Sequence, residues 1–419
     1  MGVATKAEAG REFFATRTVA QALAGFRPGR RTPAELVPVA GALHRVPVRP
    51  VTAPHPLPGF ARSTVDGYAV RAADTYGVSE GLPGYLQLTG AVPMGPVTGT
   101  GPAVTVGAGT AVSMPTGGVL PRGADAVVMI EYTQQIMPGT IEVVRPVAQG
   151  EGVVRADEDA AEGTELVPAG RPLRAQDLGM LAAAGVTEVA VHRKPRVTVL
   201  STGDEVVPPD TAALRPGQVR DASAVALAGL VTDAGGEPVQ GGIVPDDAGA
   251  LESALRAALG RSDLIVISAG SSVGARDETA GVVRGLGAPG IWCHGLAIRP
   301  GKPTLLAECG DVPIIGLPGN PRSALVIFRL LGVPLVRLVG GCTAAPPEPT
   351  MRARLARDLA SATGRLDVVQ VRVQDGVATP LFGLSALLSV LTAADGFVVV
   401  PEDATGLDAG AEVEVTLYG

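Results

Sequence analysis

Cysteine, histidine and lysine are all scarce in this chain of 419 residues, and each shortage removes a class of protein. Three cysteines, Cys293, Cys309 and Cys342, cannot staple a disulfide-rich secreted scaffold, and neither a CxxC pair nor a Cys/His ligand spacing points to zinc. Four histidines, His44, His55, His192 and His294, are too few and too scattered for a metal cage. Only Lys6, Lys194 and Lys302 are lysine among 34 basic residues, and 41 acidic ones leave a net charge of −7. That balance excludes the basic surface on which generic nucleic-acid affinity depends. No apolar run reaches the ~20 residues of a membrane span, and the start, MGVATKAEAGREFF, lacks the apolar stretch of a signal peptide. The expectation is a soluble, cytoplasmic protein of about three domains, taking roughly 150 residues per domain, with length enough to bury a core without cross-links. Asparagine is scarcest of all, since Asn320 stands alone. Against a composition biased toward Ala, Gly, Arg and Val, Lys302 and Asn320 mark positions where Arg or Asp would not serve.

What is abundant is punctuation. Glycine (56) and proline (36) exceed a fifth of the chain, yet 46% of it is hydrophobic, so these residues bound many short elements rather than create disorder. TVAQALAGF and RTPAELVPVAGALHRV carry helical signals, with Thr32 placed to cap and Pro33 at a first helical position. Residues 84–149 read as β-strands, and a polar connector after Gln149 leads to a helical DLGMLAAAG. From Lys194 the pattern changes. RVTVLS, VQGGIV, DLIVIS and VPIIGL are near-continuous apolar runs, mostly separated by helical stretches, which predicts a doubly wound parallel sheet covered on both faces. After Gly340 the pattern is β again.

In an open α/β sheet, ligands bind in the loops at the carboxyl ends of the strands. Those loops are Thr202–Glu205, Pro245–Asp247, Ala269–Asp277 and Pro318–Ser323. Three of the four bring carboxylates, and two bring glycines with small hydroxyl residues. Carboxylates beside a glycine-rich backbone suit Mg²⁺ and the phosphates that it bridges; singly, each acid would serve equally well as a helix cap. Asn320 followed by Pro321 predicts a capped helix start, a ready anion site. Arg299 and Lys302 place two cations in one turn. Asp66-Gly67 and Thr116-Gly117-Gly118 form two further candidate turns. Three motif matches fall short. Gly285–Gly290 fits GxGxxG but follows a helix and precedes a strand, and Gly295–Lys302 misses phosphate-loop spacing by one residue. Gly270–Gly274 fits the GxSxG of a serine nucleophile, but the only later histidine, His294, sits in a predicted strand.

Six ordered motifs together resemble the molybdopterin molybdenumtransferases, the MoeA and gephyrin E-domain family. They are PGFxxSxxDGYAV (Pro58–Val70), MxTGGxxPxGADAVVxxE (Met114–Glu131), STGDE (Ser201–Glu205), VGxxD (Val273–Asp277), PGKP (Pro300–Pro303) and LPGNPxSAL (Leu317–Leu325). The resemblance implies a two-segment linking domain at 1–60 and 150–193 and an inserted β-rich domain at 61–149. It also implies an adenylyltransferase-like α/β domain at 194–340 and a C-terminal β-barrel at 341–419. It implies insertion of molybdate into adenylylated molybdopterin with Mg²⁺-dependent release of AMP. Glu205, Asp246 and Asp277 would hold the metal, with Asp204 and Asp247 next in line. Gly270, Ser271, Ser272, Gly274, Arg299, Lys302, Pro318, Gly319, Asn320, Pro321 and Ser323 would bind the substrate. Asp66 and Thr116 would reach the site from the second subunit of a homodimer, and Asp159 matches a further family aspartate. Expected partners are the molybdopterin adenylyltransferase and acceptor apoenzymes, with neither nucleic acid nor membrane.

Several positions depart from the family pattern. Ala269 and Ser271 replace residues of its glycine-rich loop, and Arg299 keeps a lysine's charge as a planar fork. Gly295 removes a cation for which His294 is the candidate substitute, and Ser385 is followed by Ala386 instead of histidine. The competing readings are a molybdopterin adenylyltransferase, a degenerate paralogue serving as a binding scaffold, and a serine hydrolase acting through Ser272.

Overall fold

The computed structural model describes residues 16–96, 103–269 and 273–418, with the helical path alone over 273–277. Helix α1 (Val19–Gly25) begins at Thr18, whose hydroxyl accepts the Gln21 N–H at 3.1 Å while the Gln21 side chain accepts the Thr18 N–H at 3.0 Å. Two otherwise orphaned donors are thereby satisfied. Val19, Ala22 and the following Phe26 are buried, and Phe26 packs on Trp292 with ring centroids 5.8 Å apart.

The second predicted N-terminal helix does not form. Ala34–Pro38 is a strand, β1, whose residues pair antiparallel with Glu188–His192. Pro38 explains the difference: inside a helix it would remove a donor and clash with the carbonyl four residues back, whereas a two-stranded ribbon leaves its nitrogen at an edge.

A six-stranded sheet follows, from β2 (Gly67–Val70), β3 (Gly84–Ala91), β4 (Thr110–Met114), β5 (Ala126–Met129), β6 (Thr133–Met137) and β7 (Thr140–Val143), in the order β5-β2-β4-β3-β7-β6. Its period-2 alternation buries Val70, Ala111 and Val128 on one face and Ala69, Val112 and Val127 on the other. The chain returns through α2 (Ala175–Ala183) and β8 (Glu188–His192).

The central unit comprises β9 (Arg196–Thr202), α3 (Ala222–Asp233), β10 (Glu237–Val244), α4 (Ala248–Leu259), β11 (Leu264–Ser268), α5 (Val273–Gly285), β12 (Pro289–His294), β13 (Leu305–Cys309), β14 (Val312–Leu317), α6 (Pro321–Ile327) and α7 (Val333–Val339). Asp221 caps α3 and Asp247 caps α4 through their carboxylates. Alternate strand residues enter two cores. Val197, Val199, Leu264 and Val266 meet α3, α6 and α7, while Leu200, Ile265 and Ile267 meet α4 and α5. Each such fully buried side chain contributes about 1.5–3 kcal/mol.

The sheet, of order β10-β9-β11-β14-β13-β12, is mixed and not wholly parallel as expected. β9, β10, β11 and β14 are parallel, but β13 is antiparallel to both β14 and β12. The cause is the two-residue turn between β13 and β14, in which Gly310 (φ 53°) and Asp311 (φ 61°) are both left-handed, the conformation of a type I′ hairpin.

At the C-terminus, β15 (Thr350–Leu355), β16 (Leu366–Gln374), β17 (Val377–Pro380), β18 (Gly396–Val400) and β19 (Glu412–Leu417) run β16-β17-β15-β19-β18. β18 pairs back onto β16, so the five strands close into a barrel around Leu355, Val371, Val398, Val413 and Val415. Closure removes the sheet edges.

Candidate active site

Strand direction decides which loops meet. The carboxyl ends of β9, β10, β11 and β14 lie at one edge of the sheet. Two successive reversals make β12 run with them, so the β12–β13 connection, residues 295–304, opens at that same edge. The mixed topology therefore adds a fifth loop, and it is the one carrying Arg299 and Lys302.

The acidic part of the edge comes from the loops after β9 and β10. Gly203 is left-handed (φ 139°), and the Glu205 side chain folds over it where a Cβ would stand. Asp204 Oδ1 accepts the Asp246 N–H at 3.2 Å, which ties the two loops together. Asp247 accepts the Ala250 N–H at 2.8 Å, so at this position the helix-cap reading holds. The Asp246 carboxylate is exposed and has no protein partner among the described residues. A narrow cleft beside it is lined by Thr202, Asp246, Asp247, Glu278 and Thr279. Glu278, which sequence reasoning passed over, brings an acid from the α5 turn that also holds Asp277. Gly270, Ser271 and Ser272 lie outside the described residues, and Gly274 and Asp277 belong to the stretch described by its helical path alone. Among the described residues, no group of three His, Cys, Asp or Glu side chains is gathered closely enough to hold a metal ion. Mg²⁺ does not require such a cage, because one or two carboxylates suffice when phosphates and waters complete its octahedron. The oxygen donors at this edge fit that mode.

The basic part is a cleft of about 870 Å³ between the sheet edge and the barrel. Arg299, Lys302, Pro318, Asn320 and Ser323 line one wall, while Arg365 and Ser385 line the other. Gly301 (φ 119°) lies against Ile327 so closely that any Cβ would overlap that side chain. The Thr304 hydroxyl donates to the Gly301 carbonyl at 2.7 Å, so the turn bearing Lys302 is rigidly held. Asn320 occupies the cap position of α6 with Pro321 next to it and Gly319 before it, but its side chain makes no capping hydrogen bond and instead lines the cleft. That corrects the expected side-chain cap. Among the described residues the single acid lining the cleft, Asp367, is 6% exposed, receives two bonds from Arg365 at 2.8 and 3.2 Å, and faces Arg299 at 3.9 Å. Its charge is thus already compensated. Sequence reasoning did not single out Arg365, nor the buried Arg322, although Arg322 falls inside the predicted ligand loop Pro318–Ser323. His294, half-buried at the end of β12, does not line this cleft.

Asp66 and Thr116 form a site corner of their own. Because Gly67 pairs with Met114, the residues flanking β2 and β4 meet, and Asp66 Oδ1 accepts the Thr116 N–H at 2.8 Å. The Gly117 N–H donates to the Ser63 carbonyl at 2.8 Å, joining the two motifs that the chain separates by about fifty residues. Neither Asp66 nor Thr116 lines the acidic or the basic cleft of its own chain. Asp159 is exposed, with its N–H donating to the Leu57 carbonyl at 3.0 Å.

Three family profiles match in order: "MoeA N-terminal region (domain I and II)" over residues 15–185, "Probable molybdopterin binding domain" over 198–338, and "MoeA C-terminal region (domain IV)" over 352–418. A molybdopterin molybdenumtransferase of a Nostoc species is 36% identical over 73% of this chain and 70% of its own length. Molybdopterin molybdenumtransferase 2 of Mycobacterium tuberculosis is 32% identical over 95% of this chain and 97% of its own. The chain belongs to the molybdopterin molybdenumtransferase (MoeA) family. A crystal structure of the MoeA protein from Pyrococcus horikoshii matches 96% of this chain and all of its own with a TM-score of 0.82 at 30% identity. The MoeA architecture accordingly extends over nearly the whole chain, the closed C-terminal barrel included. Among the described residues no helix is long and apolar enough to cross a membrane.

Proposed function

We propose that this MoeA-family chain inserts molybdate into adenylylated molybdopterin and releases AMP, as a homodimer using Mg²⁺. The observation that carries the reading is the sorting of charge along one sheet edge: carboxylates at the β9 and β10 loops, cations and neutral donors at the β12–β13 and β14 loops. Cleaving the phosphoric anhydride of an adenylylated substrate builds negative charge on bridging and terminal phosphate oxygens. Catalysis of such a step rests on positioning and on offsetting that charge. Glu205 and Asp246, together with Asp277, would hold Mg²⁺, which would supply charge compensation for the phosphates.

The protein's own groups do the rest. Arg299 and Lys302 draw the anionic substrate and molybdate into the cleft, and Asn320 and Ser323 offer neutral polar groups that orient them. The Pro318–Pro321 turn keeps the backbone close, and the loop through Gly270, Ser271, Ser272 and Gly274 cradles phosphate. Asp66 and Thr116 complete the site from the second subunit, a role consistent with neither of them lining a cleft of its own chain. The molybdopterin adenylyltransferase would hand on the adenylylated substrate, and apoenzymes would accept the product.

The test is AMP release from adenylylated molybdopterin, with molybdate and Mg²⁺ each supplied or withheld, for the wild type, Asp246→Asn and Asp277→Asn. Release that needs both additions and collapses in the variants supports the reading. ATP consumption with unadenylylated molybdopterin would instead indicate an adenylyltransferase. Tight binding of the substrate without release would indicate a scaffold.

A further inference from the structure

One cation in the basic cleft is built differently from the others. Arg322, the second residue of α6, is only 8% exposed, yet it lines the cleft. Its Nε donates to Gln370 Oε1 at 2.7 Å and its Nη1 to the Gly383 carbonyl at 2.7 Å. Both acceptors are neutral and both come from the barrel. A guanidinium carries five N–H donors, and Nη2 has no acceptor among the described residues. No carboxylate of the described residues is ion-paired with Arg322; Asp367, which lines the same cleft, is taken up by Arg365 and Arg299. Burial holds the proton affinity of Arg322 below the ordinary guanidinium range; Tyr418 acts the other way, and Arg299 adds to the lowering. A buried cation without a counter-charge, next to a second cation, is an unfavourable arrangement that an anion would relieve.

We propose that Arg322 is a direct ligand for a tetrahedral oxyanion in this cleft, donating through Nη2 while Gln370 and Gly383 fix the plane of its fork. The inference rests on the substrate reading given above and extends it to a residue outside the matched motif positions. The geometry also makes the oxyanion site dependent on the barrel, since both anchors of the guanidinium belong to it. Lysine at this position would keep the charge but not the planar fork, whose two anchored donors aim the third.

Titration calorimetry on the full chain distinguishes the two sources of such an anion, with inorganic molybdate in one arm and AMP in the other. Wild type, Arg322→Gln and Arg322→Lys are compared, each with its melting temperature. The expected result is a Kd for at least one anion raised tenfold or more by Arg322→Gln and by a smaller factor by Arg322→Lys. The arm that responds identifies the oxyanion as molybdate or as the nucleotide phosphate. Should Arg322→Gln fail to fold, the lysine variant carries the test, with a threefold rise in Kd at an unchanged stoichiometry as the threshold. Lowered melting temperature with both Kd values unchanged would make Arg322 a clamp between α6 and the barrel and overturn the proposal, leaving the substrate reading intact. Failure of the wild type to bind either anion would overturn both.

Discussion

Replacement of Asp263 by asparagine tests how the sheet is anchored to the rest of the chain. Asp263 precedes β11 at the amino edge of the sheet, and its side chain is 3% exposed. Oδ1 accepts from Arg30 Nε at 3.2 Å and Nη2 at 3.1 Å, and Oδ2 accepts from Arg193 Nη2 at 2.7 Å and the Arg196 N–H at 2.8 Å. Donors from three residues in two distant chain segments, around Arg30 and Arg193–Arg196, therefore converge on one carboxylate. An asparagine amide would keep one oxygen and turn its NH₂ group toward two of those donors, whichever way it is flipped. Breaking a buried pair by removing one partner costs roughly 3–5 kcal/mol. Arg30 and Arg193 retain 30% and 24% exposure and reach water, which places the expected loss near the lower figure, about 3 kcal/mol.

The same carboxylate sets a pH dependence. Burial pushes its proton affinity up, but the Arg196 N–H and the Arg193 and Arg30 guanidiniums together outweigh burial and hold it below the usual carboxylate range. A depressed folded value means that its stabilisation is complete above the unfolded value of about 3.9 and is lost as pH falls through the folded one. Urea unfolding followed by the fluorescence of Trp292, the only tryptophan, reports the packing of α1 on the sheet from pH 3 to 7. The variant should lose about 3 kcal/mol at pH 7 and less than that near pH 3, where the wild type has lost part of the same contribution. A loss below about 1 kcal/mol at pH 7, in the range of an exposed pair, or an equal loss at every pH, would refute the reasoning.

Two glycines carry further predictions. In Gly67→Ala, the new Cβ would overlap the Val128 carbonyl across the β2–β5 pairing, and neither backbone can yield without opening it. A loss of about 3 kcal/mol is expected by thermal melting, and AMP release should fall further than stability because Asp66 is the preceding residue. In Gly301→Ala, the left-handed φ of 119° and the overlap with Ile327 both oppose the native turn. Molybdate affinity should fall about tenfold, corresponding to the 1–3 kcal/mol of such backbone strain, with little change in the acid-edge variants' metal dependence; unchanged affinity by calorimetry would detach Lys302 from the oxyanion site.

How far the sequence could be read depended on the range over which each interaction acts. β9, β11 and β14 were legible because apolar runs bounded by glycine, proline or acids have one economical use, a strand covered on both faces. Their parallel pairing then implied the acidic edge. Ala34–Pro38 was misread because its partner, Glu188–His192, lies some 150 residues away and no local signal names it. Arg322 and Arg365 were missed for a similar reason: their meeting depends on barrel closure by β16 and β18, which sets the second wall of the cleft. The hairpin between β13 and β14 is a different case. Gly310-Asp311 between two apolar runs is a local signal for a two-residue turn, and it was overlooked because strand–helix alternation suggested a parallel sheet throughout. Its consequence reaches the chemistry. Were β13 parallel to β14, the loop carrying Arg299 and Lys302 would lie at the opposite edge from Glu205 and Asp246. The single antiparallel hairpin turns β12 back into line with the parallel strands, and so brings the cations of one loop to the carboxylates of the others.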